Sequence, residues 1–135
     1  MMHHLNKTAG RILDTLVQGI EEGGHRKIDN AKSRSIMPVD VEMIESTPYG
    51  NIFSVTHFYR QNGDMMHDPD MTFWKTVNGD YYPLSYQQDN LGIYQNVIAE
   101  RDSDGRIKRY YPRLSAELAN FANSWMRNIK EQQGL

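Results

Sequence analysis

The run HFYRQNGDMMHDPDM, His57 to Met71, decides the fold. At its centre stands Asn62-Gly63, the favoured pair for a two-residue type I′ turn, because both central residues of that turn need positive φ. The segments on either side are therefore read as neighbouring antiparallel strands. In that register Gln61 opposes Asp64, Tyr59 opposes Met66 and His57 opposes Asp68. Asn78-Gly79 carries the same turn signal, which places Phe73 opposite Leu84, Asp70 opposite Gln87 and Asp68 opposite Asp89. A third signal, Asp104-Gly105, sets Glu100 opposite Arg109, and Asp89-Asn90 followed by Gly92 marks a further turn or bulge.

Chaining the first two hairpins puts His57, Asp68 and Asp89 in one row, with Val55, Asp70 and Gln87 in the next row on the same face. That face also carries Thr72 and Ser85, interleaved with Phe53, Tyr59 and Trp74. The opposite face, with Ile52, Phe58, Met71, Phe73, Val77, Tyr82, Leu84 and Tyr86, is the one helices should cover. Pro69 threatens this register. It has no N–H to give to a ladder, and a one-residue bulge there would send Asp68 or Asp70 to the other face.

Outward from the hairpins, Val39, Val41 and Met43 alternate with Asp40 and Glu42 as a half-buried strand would, and Thr47-Pro48-Tyr49-Gly50 supplies a turn. Leu5, Ala9, Ile12, Leu13, Leu16, Val17 and Ile20 fall at steps of three and four, which predicts an amphipathic helix closed by Gly23-Gly24. His25 to Met37 reads as a polar, basic loop containing Arg26, Lys27, Lys32 and Arg34. Leu118, Phe121, Ala122, Trp125, Met126 and Ile129 predict a closing helix, with Pro112 ahead of it and Ser115 as N-cap. The fold class is thus α+β. It is a single domain over residues 1–135, an antiparallel meander of about five or six strands with an N-terminal and a C-terminal helix on one face.

Composition narrows the chemistry. A chain of 135 residues buries about two-thirds of its unfolded surface around one core. Hydrophobic residues at 39%, charged residues at 24% and a net charge of −2 describe an ordinary cytoplasmic globular protein, and bulk electrostatics name no partner. Cysteine is absent, so thiolate chemistry is excluded and any metal would need His, Asp or Glu ligands. Apolar stretches stop well short of the ~20 residues of a membrane span, so no membrane contact is expected.

His57 to Phe73, together with Pro83-Leu84-Ser85-Tyr86-Gln87 and Gly92-Ile93-Tyr94-Gln95, resembles an uncharacterised bacterial domain family found in plasmids, phages and integrative elements. The resemblance covers roughly Val39 to Val97 and implies a setting, an accessory role in a mobile element, without implying an activity.

The candidate site is His57, Asp68, Asp70, Gln87 and Asp89. Imidazole beside carboxylates suits a divalent metal, with His57, Asp68 and Asp89 as the ligands of a metal-dependent hydrolase or nuclease. The plainer reading is a structural His57–Asp68 hydrogen bond, an Asx-Pro turn and a solvated Asp70, with His67 a half-exposed packing residue and no cofactor at all. A second candidate, Arg101, Arg106, Lys108, Arg109 and Arg113 with Tyr110 and Tyr111, mixes cations and rings as a nucleic-acid surface does. Its plainer reading is a solvated hairpin with Glu100 paired to Arg109. A third is a small-ligand pocket lined by Tyr59, Trp74 and Tyr94. Catalytic fingerprints are missing. The leading expectation is therefore an accessory domain of a bacterial mobile element whose open sheet face binds a protein or, alternatively, nucleic acid. Phe121, Trp125 and Met126 are read as core, with a homodimer interface as their alternative.

Overall fold

The computed structural model describes residues 1–33 and 35–135. In chain order it comprises α1 (Lys7–Val17), β1 (His25–Ile28), β2 (Val39–Thr47), β3 (Gly50–Gln61), β4 (Asp64–Thr76), β5 (Tyr81–Gln88), a 3₁₀ turn (Asp89–Leu91), β6 (Ile93–Asn96), β7 (Ile98–Arg101), β8 (Ile107–Tyr110) and α2 (Pro112–Gln133). Strands β1 to β6 form one antiparallel sheet in sequential order, and β7 and β8 form a separate two-stranded hairpin. The α+β meander with a helix from each end is as the sequence predicts. Among the described residues no helix is long and apolar enough to cross a membrane.

Both helices cover the same face of the sheet. Ala9, Ile12, Leu13, Leu16 and Val17 of α1 and Leu118, Ala122, Trp125, Met126 and Ile129 of α2 are buried against Val39, Val41, Phe53, Val55, Met71 and Phe73. Each of the larger aliphatic and aromatic side chains among them contributes about 1.5–3 kcal/mol by leaving water. Asn6 caps α1 by accepting from the Ala9 N–H at 2.8 Å, and its own N–H reaches Asn123 Oδ1 on α2 at 2.9 Å.

Several boundaries differ from expectation. Helix α1 stops at Val17, ahead of Gly23-Gly24, with Gly19 left-handed at φ 76°. The Arg26 guanidinium donates to the carbonyls of Thr15 and Leu16, terminating the helix with a cation. Gly23 and Gly24 instead exchange backbone hydrogen bonds with Met43, leading into β1, an edge strand where a loop is expected. Ser115 lies inside α2, buried, where its Oγ accepts the His3 N–H at 2.8 Å; Tyr111 is the N-cap and Pro112 the first helical residue. Arg34 lies outside the described residues.

Register holds near the Asn62-Gly63 turn and fails where Pro69 intervenes. Asn62 and Gly63 both have positive φ, and Gln61–Asp64 and Tyr59–Met66 pair as predicted. Beyond Phe58–His67 the next pair is Thr56–Asp70, so the single residue His57 faces both Asp68 and Pro69, whose shared peptide is cis. This bulge reverses the face relation between the strands. His57 therefore joins Phe53 and Val55 on the helix-covered face with Met71 and Phe73, while Asp70 goes to the other side.

Candidate functional site

The uncovered face of the sheet is polar. Paired residues share a face, so one row reads Lys27, Asp40, Thr56, Asp70, Gln87 and Tyr94, and the next reads His25, Glu42, Ser54, Thr72, Ser85 and Asn96. His25 lies 3.6 Å from Asp40 Oδ1, and the hydroxyls of Thr72 and Ser85 bond each other, while Asp40 Oδ1 and Asp70 Oδ1 are buried with no hydrogen-bond partner among the described residues.

Of the five predicted site residues, Asp70, Gln87 and Asp89 come together on this face and His57 and Asp68 do not join them. His57 is 5% exposed under α2, where its Nδ1 accepts the Trp125 indole N–H at 3.3 Å and the rings meet edge to face at 5.3 Å. Burial pushes its pKa down to about 4, so it is neutral, and its Nε2 has no partner among the described residues. Asp68 lies in the bulge, where its charge raises the pKa of the Tyr86 phenol on the helix side, second to burial itself.

His67 takes the place assigned to His57. Asp89 Oδ2 accepts both the His67 backbone N–H and a bond from its ring Nδ1, each at 2.9 Å, while Asp89 Oδ1 accepts from Gln87 Nε2 at 2.8 Å. The backbone bond, then Gln87 and the ring, hold the Asp89 carboxyl below its usual value. Burial pushes Asp70 the other way, helped by Asp89 and Glu42 and opposed by the Thr56 hydroxyl and His67. Asp70 Oδ1 is the one acceptor in this cluster without a partner among the described residues. Nowhere among those residues do three His, Asp or Glu side chains assemble in a way that could hold a metal ion. The metal set His57, Asp68 and Asp89 is divided between the two faces.

A cavity of about 590 Å³ opens at the other end of the same face. A bulge in β5 contributes to it. Leu84 is an extra residue between the pairs Phe73–Pro83 and Thr72–Ser85, and its carbonyl accepts the Val97 N–H at 2.8 Å, one step beyond the Ser85–Asn96 pair of β5 and β6. The Val97 carbonyl in turn accepts the Tyr111 N–H at 2.8 Å, so both roots of the β7–β8 hairpin hang from this bulge. Ile52, Trp74 and Leu84 floor the cavity; Ile107 and Tyr110 wall it from the hairpin. At the mouth the Arg106 guanidinium sits over the Tyr49 ring and donates to its hydroxyl at 3.2 Å. Gly50, at φ 128°, holds the turn beneath Tyr49 so close that a Cβ would stand 2.1 Å from the Lys75 carbonyl, and the Trp74 indole N–H donates to the Tyr49 carbonyl at 3.1 Å.

Of the predicted cationic group, Arg101, Arg106 and Lys108 line this cavity. Arg109 and Lys108 are paired with Glu100 at 2.8 and 3.5 Å, as the predicted Glu100–Arg109 register requires. Arg113 lies apart, exposed in the first turn of α2.

The model of a protein family described as a domain of unknown function (DUF6908) matches residues 7–135. The chain belongs to this family. DUF6908 takes in both helices as well as the sheet, a wider span than the Val39–Val97 stretch where the resemblance is legible. No curated protein and no solved structure matches the chain.

Sequence reasoning missed the cavity because its walls come from five separate stretches of the chain. Trp74 lines it, whereas Tyr59 lies on the far hairpin arm and Tyr94 is 64% exposed on β6. The readable signal was the turn Thr47–Gly50, whose Gly50 contact needs bare backbone.

Proposed function

We propose that this domain is a non-catalytic binding module whose ligand occupies the cavity between the open face and the β7–β8 hairpin. The observation that carries the reading is a cavity of about 590 Å³ with an apolar aromatic floor and a charged mouth, within the range of about 300–1,000 Å³ of small-molecule sites. The rest of the face supports a macromolecular partner less well. Asp40, Glu42, Asp70 and Asp89 give it an acidic centre that would repel nucleic-acid phosphates. Arg26, part of the basic segment such a partner would need, is committed to the end of α1. The accessory role in a bacterial mobile element is part of this proposal and would make the module a sensor or carrier for a larger system.

The test is a fragment screen followed by ¹H–¹⁵N spectra. Binding fragments should move the Trp74 indole and the backbone amides of Ile52, Leu84 and Ile107, and Ile107→Trp, which fills the cavity, should abolish the shifts. Shifts centred on His67 and Asp89, or no fragment that moves Trp74, would refute the reading.

A further inference from the structure

We infer that the ligand of this cavity is an organic anion: an apolar, preferably aromatic body with one carboxylate, sulfonate or phosphate group, bound at the mouth by Arg101 and Arg106. The inference rests on the binding-module reading and deepens it. Around the cavity stand three cations, Arg101, Arg106 and Lys108, against two carboxylates, Glu45 and Asp104. Lys108 is shared with Glu100. Arg101 and Arg106 have no carboxylate within ion-pair distance among the described residues; they donate only to neutral oxygens, the Gly105 carbonyl at 2.8 Å and the Tyr49 hydroxyl at 3.2 Å. Asp102 acts on the Arg106 guanidinium through its charge alone, beyond ion-pair distance, and spends its Oδ1 on the backbone N–H groups of Asp104 and Arg106. Each guanidinium carries five donors in a planar fork, so most of these donors remain free for a bidentate oxyanion.

The floor decides what accompanies the charge. Ile52, Trp74 and Leu84 offer an apolar surface continuous with Ile107 on the hairpin. A bare inorganic anion would leave that surface against water, whereas a ring system would cover it and place its charge at the mouth. The hairpin is suited to adjust to such a body. Among the contacts described, it joins the turn Thr47–Gly50 through Arg106 and Tyr49, and both of its roots run through Val97.

Two dyes of nearly the same shape test this on the intact chain: 8-anilinonaphthalene-1-sulfonate, an anion, and N-phenyl-1-naphthylamine, its neutral counterpart. The two tryptophans serve as internal controls, since Trp74 floors the cavity and Trp125 is buried on the sheet-facing side of α2. The sulfonate should bind with one-to-one stoichiometry, shift the Trp74 indole resonance and leave that of Trp125 in place. The double variant Arg101→Gln, Arg106→Gln should weaken the sulfonate about tenfold while changing the neutral dye less than about twofold, the loss expected for a charged hydrogen-bonded contact. Arg101→Lys with Arg106→Lys, which keeps the charge without the bidentate fork and covers the case in which the glutamine variant loosens the hairpin, should restore part of the affinity. Equal affinity for the two dyes, or a sulfonate affinity indifferent to the glutamine variant, would overturn the anion inference and leave the cavity reading intact. If neither dye moves Trp74, both fall.

Discussion

Acidification should destabilise this protein through His57, and His57→Asn should remove the effect. The imidazole is 5% exposed beneath α2, and burial brings its pKa from the ordinary 6.5 down to about 4. Because the folded value is the lower one, the unfolded chain takes up a proton that the folded protein refuses. The stabilisation is complete above the unfolded value, is lost as pH falls from 6.5 towards about 4, and changes no further below that. Linkage gives a loss of about 2 kcal/mol between about pH 7 and about pH 5, and about 3 kcal/mol over the whole window. Asparagine can offer an oxygen near the position of Nδ1 to the Trp125 indole N–H but does not titrate. The variant should lose about 1–2 kcal/mol near neutrality, through the missing ring contact, and then show little change towards pH 5. Urea denaturation at several pH values measures both curves. Asp70, whose raised pKa acts in the opposite direction, is present in both proteins and cancels in the difference. A variant whose stability falls with pH as steeply as the wild type's would refute the reasoning.

Two further outcomes follow from named contacts. Gly50→Ala should cost about 2–4 kcal/mol, since φ 128° and a Cβ 2.1 Å from the Lys75 carbonyl leave no room for relaxation; a melting temperature close to wild type would contradict this. Asp89→Asn should cost about 1–2 kcal/mol by weakening the bonds to His67 and Gln87. In the wild type the contribution of Asp89, whose pKa is lowered, is present above the unfolded value of 3.8 and lost as pH falls through the folded one. The gap between the two proteins' stabilities near pH 6 should therefore narrow towards pH 3, and a constant gap would sink the assignment.

Local signals made the architecture legible, and one proline limited what they said about the site. Asn62-Gly63 set its hairpin because both residues must adopt positive φ, a requirement satisfied within the turn itself. The helical faces of α1 and α2 likewise follow from spacing alone. Strand β1 escaped notice because of its four residues only Ile28 is buried, so its identity comes from the neighbour Val39–Glu42 rather than from its own pattern. His57 and His67 exchanged roles for a similar reason. Which side a β-strand residue faces depends on every residue between it and the turn, and the doubled position Asp68-Pro69 inverts that count. The sequence named the hazard at Pro69 but held nothing to resolve it. Asp70, Gln87 and Asp89 still met as predicted because β4 and β5 agree at that end of the sheet.

That agreement has its own history in the β4–β5 hairpin. Three residues, Val77 to Gly79, close the turn where two are predicted, and the strands leave it one step out of the expected register. The extra residue at Leu84 puts them back in step, so Asp70 again meets Gln87. The two irregularities are a matched insertion and correction. Among relatives, a hairpin shortened by one residue at the turn should also lack the bulge at Leu84, and losing either alone would swing Gln87 and Asp89 away from His67. Chain-length variation here should come in pairs, one change at the turn and one at Leu84, on the strand whose carbonyl holds the root of the β7–β8 hairpin.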